Sequence, residues 1–214
     1  MSWLPVYNSW VIMVILVSLF LWKLLGVLFF VGIAGVSLVY LAKESMLLVK
    51  HYASGFWVFI ASEVIAFGTL FTLCVWMEEN EVSPLSHFIE LPFLGCFILT
   101  GSSITVTTYH HYLGSSFAPK FLLMTIVLGW CFIGLQIYEF YDCECDITFC
   151  IYQSLCFCTV GLHFTHVLGG IVALTLLYYV GDENVSRSNV DFVVWYWHFV
   201  DYVWLFVYII IYIS

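Results

Sequence analysis

The side chains that could do chemistry in this sequence are ionisable groups set inside long apolar runs. Glu63, His163, His166, His198 and Asp201 are chief among them. A charge at bilayer depth is costly, so each such residue needs a partner or a function. Glu63 stands in Phe59-Ile60-Ala61-Ser62-Glu63-Val64-Ile65. It is either a protonated carboxyl bonded to a neighbouring helix, or a proton-relay or lipid-linked carboxyl. His163 and His166 are three residues apart and share one helix face. Neutral imidazoles bonded to adjacent helices satisfy that spacing; a metal or haem would need ligands from a second helix or a supporting cluster. His198 and Asp201 repeat the spacing in Trp195-Tyr196-Trp197-His198-Phe199-Val200-Asp201. An intrahelical pair there would lower the cost of holding both polar groups, and a proton-transfer role is the alternative.

Other tempting residues carry weaker signals. His110 and His111 are adjacent, so on a helix they point about 100° apart and cannot clamp one ion. They close an apolar run, where interfacial hydrogen bonding suits them. His51 and His87 lie in loops without a partner motif. The eight cysteines include Cys143-Glu144-Cys145-Asp146 with Cys150, which lacks the Cys-x-x-Cys spacing of zinc and iron–sulfur sites. A disulfide among Cys143, Cys145 and Cys150 stays open as an alternative. No metal site and no catalytic residue is expected on this chain.

The elements that must position these groups follow from composition. Of 214 residues, 64% are hydrophobic and only 9% charged, whereas soluble domains carry about 25% charge. The bilayer is the natural solvent for such a chain. Five basic residues against a net charge of −9 exclude a nucleic-acid surface. The opening Met1-Ser2-Trp3-Leu4-Pro5 shows neither a basic signal region nor an Arg-rich transit pattern. Synthesis in the compartment of insertion is therefore expected.

Charged breaks cut the chain into seven apolar spans, roughly 4–22, 24–42, 52–77, 91–109, 121–141, 150–180 and 192–213. Lys23 and Gly26 demand a tight hairpin between the first two, because one continuous span would outrun any ordinary bilayer. The expected fold is all-α: a single transmembrane domain over 1–214, with an N-terminal helix pair over 1–42 and a five-helix bundle over 43–214. Lys43, Lys50, Lys120 and Arg187 fall on one side of this topology, and only Lys23 on the other. The positive-inside rule puts the N-terminus on the side of synthesis and the C-terminus opposite. The acidic loops containing Glu78, Glu79, Glu81, Glu144 and Asp146 then share the outer side, and the Asn184-Val185-Ser186 sequon lies on the inner side, where it is silent.

Two further expectations follow. Glu63 lies about 21 Å below the outer end of its span, and His163 and His166 lie about 20 and 24 Å below the outer end of theirs. Buried ionisable groups at one level pair where they can, so Glu63 should bond a histidine of the sixth helix, His166 ahead of His163. On the second helix, Gly32, Ala34, Gly35 and Ser37 offer a small-residue face for helix packing.

The motifs carry a resemblance. The run Trp195-Tyr196-Trp197-His198-Phe199-Val200-Asp201-Tyr202-Val203-Trp204-Leu205-Phe206 resembles the last helix of subunit III of the haem–copper cytochrome c oxidases. Gly161-Leu162-His163-Phe164-Thr165-His166-Val167-Leu168-Gly169-Gly170 resembles that family's sixth helix. Ser62-Glu63-Val64 resembles its third, which puts Glu63 at the family's buried glutamate. Gln136 through Tyr141, including Glu139, and Glu90-Leu91-Pro92 resemble the end of helix five and the start of helix four.

The resemblance implies a non-redox subunit of a proton-pumping enzyme in the mitochondrial inner membrane, with its N-terminus in the matrix and its C-terminus in the intermembrane space. Haem a and copper would sit in partner subunits I and II, with accessory subunits around them. This chain would pack against subunit I, hold phospholipid between its first two helices and the other five, and support proton uptake. The family's basic head-group residues are replaced here, which leaves Lys43, Lys50 and His51 as candidates. A quinol-oxidase third subunit typically has five helices. A seven-span receptor would show an Arg-bearing motif where Glu78-Glu79 stands, and a transporter would show inverted repeats. A bis-histidine cytochrome is the remaining alternative.

Overall fold

The computed structural model describes residues 4–21, 23–47, 53–78, 86–143, 150–181 and 185–213. Among them the chain forms seven α-helices: α1 Leu4–Phe20, α2 Leu24–Leu47, α3 Ala53–Trp76, α4 Leu91–His111, α5 Ala118–Asp142, α6 Ile151–Val180 and α7 Arg187–Val207. The last helix loosens into a π-helical segment over Tyr208–Ile213. No strand occurs among the described residues. Five helices, α3 to α7, are long and apolar enough to cross a membrane; the apolar stretches of α1 and α2, Val6–Ser18 and Leu24–Ser37, are shorter.

Local chemistry explains the breaks. Pro92 and Pro119 each stand in the first turn of their helices, where a missing N–H costs nothing. Gly181 ends α6 with φ 78° and sends its N–H to the Leu177 carbonyl at 3.1 Å, a conformation that glycine adopts without steric penalty. Between α1 and α2 the turn closes through Lys23 N–H to the Ser18 carbonyl at 2.9 Å and Gly26 N–H to the Lys23 carbonyl at 3.0 Å.

The chain divides into two units, Met1–His51 and Tyr52–Ser214. In the first, α1 and α2 pack side by side. Gly26 lies against Ser18 so closely that any side chain there would collide with it. Further along, the Ser37 hydroxyl donates to Asn8 Oδ1. The small-residue face is therefore split: Ser37 is buried against α1, whereas a methyl group at Gly32 or Gly35 would meet open space. Gly26 and Ser37, eleven residues and so three turns apart on one helix face, meet α1, and Gly32 and Gly35 fall outside that face.

In the second unit α4, α5, α6 and α7 form a ring, each touching the next and α7 closing back on α4, while α3 packs outside against α6 and α7. Trp197 sits at the centre. Its indole N–H donates to Ser102 Oγ at 3.0 Å, and its ring edge meets Gly170 on α6 and Gly129 on α5. Small residues let helices approach in lipid, where no hydrophobic force drives them together.

Helix ends run past the apolar spans. α7 begins at Arg187 rather than 192, α5 at Ala118 rather than 121, and α2 continues through Lys43 to Leu47. Polar turns extend a helix into the head-group layer without changing its apolar length, so a reading based on apolar runs stops short of them.

Candidate functional site

Glu63 and Phe67 stand one turn apart on the face of α3 that meets α6, and Cys74 continues that face. The helices run antiparallel there: Cys74 Sγ lies 3.7 Å from Thr159 Oγ1, and Glu63 Oε2 lies 3.0 Å from His166 Nε2. Of the two candidate histidines, the structure thus joins Glu63 to His166. The other ring nitrogen of His166, Nδ1, donates to the Leu162 carbonyl one turn back at 2.8 Å.

That second contact fixes the chemistry of the first. With Nδ1 committed as N–H donor, a neutral imidazole presents Nε2 as an acceptor. Glu63 must then be the donor, as a carboxylic acid. The only other arrangement is a carboxylate against an imidazolium. The two differ by one proton moved between Oε2 and Nε2, with no change in net charge. Phe67 meets the imidazole edge-on at 5.2 Å, and Tyr196 stacks over it at 6.4 Å while donating to the His166 carbonyl at 3.3 Å. The pair is not sealed: 12% of the His166 side chain and 23% of the Glu63 side chain stay accessible at the bundle surface.

His163 faces elsewhere. It is fully buried, its Nε2–H donates to the Val200 carbonyl on α7 at 3.1 Å, and its ring packs against both Phe132 and Trp204, which also touch each other. Nδ1 has no protein partner. Sharing a broad face at the i, i+3 spacing does not give the two histidines a common role, since His166 binds α3 and His163 locks α6 to α7.

His198 and Asp201 do not lean on each other as an isolated intrahelical pair. His198 uses both ring nitrogens on α4, Nδ1 at 2.7 Å from Ser103 Oγ and Nε2 at 3.3 Å from Thr107 Oγ1. Asp201 is buried, and its Oδ1 has no protein partner. Nearer the helix ends, one turn beyond Thr107 on α4 and two turns before His198 on α7, His110 Nε2 contacts Asp191 Oδ1 at 2.7 Å. Asp191 belongs to the polar opening of α7 that apolar-run reasoning left out.

A second polar centre escaped the sequence reading. Glu139, 4% exposed near the end of α5, accepts from the Ser86 hydroxyl at 2.6 Å and from Gln136 Nε2 at 2.6 Å. The signal was available. The chain has only two glutamines, Gln136 and Gln153, and both are buried.

Of the head-group candidates, Lys50 and His51 lie outside the described residues, and Lys43 is described only as helical backbone. Cys145, on which part of the disulfide alternative rests, and Asn184 also lie outside them. Cys150 caps α6, its sulfur accepting from the Gln153 N–H at 3.4 Å. Among the described residues no three His, Cys, Asp or Glu side chains gather as a metal site would require.

Known proteins resemble this chain along most of its length. It is 34% identical to the cytochrome c oxidase subunit 3 of Patiria pectinifera over 176 residues, 73% of this chain and 67% of that one. The Xenopus laevis subunit is 36% identical over 181 residues, covering 76% and 69%. The Spodoptera frugiperda protein is 38% identical over 140 residues, covering 62% and 95%. The family signature described as Cytochrome c oxidase subunit III matches residues 2–214. The chain belongs to the cytochrome c oxidase subunit III family and is a subunit of that respiratory enzyme complex.

Proposed function

We propose that this chain serves the oxidase as a non-redox subunit of the mitochondrial inner membrane. It packs against subunits I and II, binds phospholipid and supports proton uptake through the Glu63–His166 pair. The observation that supports the last point is the committed Nδ1–H of His166. It leaves one proton shared by Oε2 and Nε2, able to sit on either atom without creating net charge in lipid. Electron transfer from cytochrome c to oxygen belongs to haem a and copper in the partner subunits. Lys43, Lys50 and His51 are the residues assigned to lipid head groups, and accessory subunits complete the assembly. The N-terminus is assigned to the matrix and the C-terminus to the intermembrane space, on the side preference of Lys43, Lys50, Lys120 and Arg187.

The test is Glu63→Gln in the assembled oxidase. A glutamine amide still donates to Nε2, so assembly should survive while the shared proton is gone. Proton uptake measured during turnover in proteoliposomes should fall. Uptake equal to wild type in an assembled Glu63→Gln complex leaves the pair as a helix fastener and rejects the proton role.

A further inference from the structure

A groove follows the contact between α3 and α7, apart from the Glu63–His166 bond between α3 and α6. The two helices run side by side in the same direction. Phe67 meets Phe199 with ring centroids 6.5 Å apart, and Phe71 meets Phe206 at 6.4 Å. Around these aromatic pairs the surface is notched. A cavity of about 330 Å³ opens there, with Val64 and Gly68 of α3 and Val203 of α7 in its lining. A methyl group on Gly68 would meet nothing within 4 Å, so the absence of a side chain keeps the notch open. Beyond Phe71 a second hollow continues the groove past Thr72 and Val75 to Trp76, with Ile210 on the facing wall.

What suits such a groove in a bilayer follows from its length, its walls and the charge at its end. From Val64 to Trp76 it covers about 18 Å at the standard helical rise. One leaflet of hydrocarbon is about 15 Å deep, so the last turn reaches the head groups, where tryptophan is favoured. Helices dock in lipid through small residues and interhelical hydrogen bonds. The walls here set one glycine among large rings, and the Thr72 hydroxyl already donates to the Gly68 carbonyl of its own helix at 2.7 Å. A flexible acyl chain needs no such contacts and takes the shape of the groove. Charge then selects the head group. In sequence, the segments joining α3 to α4 and α5 to α6 open on the same end of the bundle as Trp76. With the adjoining helix ends they carry seven acids, from Glu78 to Asp146, and no lysine or arginine. Such a rim repels an anionic phospholipid and favours one whose head bears an amine.

We propose that the α3–α7 groove holds an acyl chain of an amine-bearing, zwitterionic phospholipid of the phosphatidylethanolamine type, with its head at the acidic end beside Trp76. This site rests on the reading that the subunit binds phospholipid in its oxidase. It differs from the head-group assignment to Lys43, Lys50 and His51 in place and in charge. Lys50 and His51 precede the first turn of α3, whereas Trp76 closes that helix. Lysines suit a phosphate, and the acids around Trp76 suit an ammonium.

The test supplies the assembled oxidase with phosphatidylethanolamine or phosphatidylglycerol, each carrying the same photoactivatable diazirine in its acyl chain. Adducts are then located by peptide mass spectrometry. The ethanolamine probe should label the groove, within 64–76 and 199–210, about fivefold more than the glycerol probe, the factor that one charge near a membrane surface is worth. Gly68→Leu, which puts a side chain into the notch, should remove that labelling. Glu78→Lys, outside the groove lining, should bring the two probes towards equal labelling, and it keeps the test open if the glycine variant fails to assemble. Equal labelling by both probes in the wild-type complex overturns the proposal, as does a probe ratio that Glu78→Lys leaves unmoved. Undiminished groove labelling in an assembled Gly68→Leu complex also overturns it. Lipid adducts elsewhere on the chain with none in the groove would mean that a protein covers it; phospholipid binding would stand and this site would fall. No adduct on any helix would reject phospholipid binding and the site together.

Discussion

Replacing Gly170 by alanine puts a methyl group 2.7 and 2.8 Å from Cε3 and Cζ3 of Trp197, well inside carbon–carbon contact. Whether this is cheap depends on whether the indole can retreat. Its N–H is held by Ser102 at 3.0 Å. Its far corner, Cη2, already lies 3.0 Å from where a Cβ on Gly129 would stand. The ring is pinned on α4, α5 and α6 at once, so the backbone of α6 must give way. Overpacking of this kind costs about 1–3 kcal/mol. Gly161 on the same helix is the matched control, because a methyl there meets open space.

Unfolding of the detergent-purified chain by SDS, followed by tryptophan fluorescence, should show Gly170→Ala destabilised and Gly161→Ala not. In a Trp197→Leu background, the penalty of Gly170→Ala should shrink towards that of the control, a coupling that a double-mutant cycle isolates. Equal midpoints for the two glycine variants would refute the reasoning. So would an undiminished penalty after the indole is removed.

Other outcomes follow from the same geometry. Ser86→Ala should remove one of the donors that holds Glu139 and cost about 1–3 kcal/mol, read as lower resistance of the purified complex to SDS. A hydrophobic carbodiimide should modify Glu63 in its acid form, and labelling should vanish in Glu63→Gln; labelling undiminished in that variant would mean another carboxyl reacts. Cysteines introduced in the 78–90 and 142–149 loops should react with impermeant reagents from one side only, and those in 110–120 from the other.

Much of this architecture was legible because apolar runs and their charged breaks set the number of helices. The hairpin at Lys23 and Gly26 could be read from length alone, since one span could not cover that stretch. Depth arithmetic placed Glu63 level with His166, and the two meet. What could not be read is which way a residue faces when several directions are equally apolar. His163 and His166 have the same type and nearly the same depth. Only the positions of α3 and α7 around α6 send one to a carboxyl group and the other to a carbonyl. Gly32 and Gly35 illustrate the same gap: small residues permit close approach without stating on which side it occurs. The polar first turn of α7 hid Asp191 for a different reason, because hydropathy marks where lipid ends and not where helix ends.

The Glu63 pair also matters to how α3 is held. α3 is the least enclosed of the five long helices, and its buried residues are Phe67 and Cys74. In lipid, apolar faces gain little by leaving one apolar surroundings for another, so interhelical hydrogen bonds carry a larger share of helix docking. Glu63→Leu should therefore do two things that Glu63→Gln does not. It removes the bond to His166, worth about 0.6 kcal/mol on average in such settings. It also leaves Nε2 without its α3 partner on a ring that is only 12% exposed, adding about 1–3 kcal/mol for an unsatisfied polar atom. Limited proteolysis in the 48–52 and 79–85 segments that flank α3 should be faster in Glu63→Leu and unchanged in Glu63→Gln. If both variants are cut at the wild-type rate, α3 is held by its aromatic contacts alone. Faster cutting in both would mean that the carboxyl itself, and not the hydrogen bond that an amide can replace, keeps the helix in place.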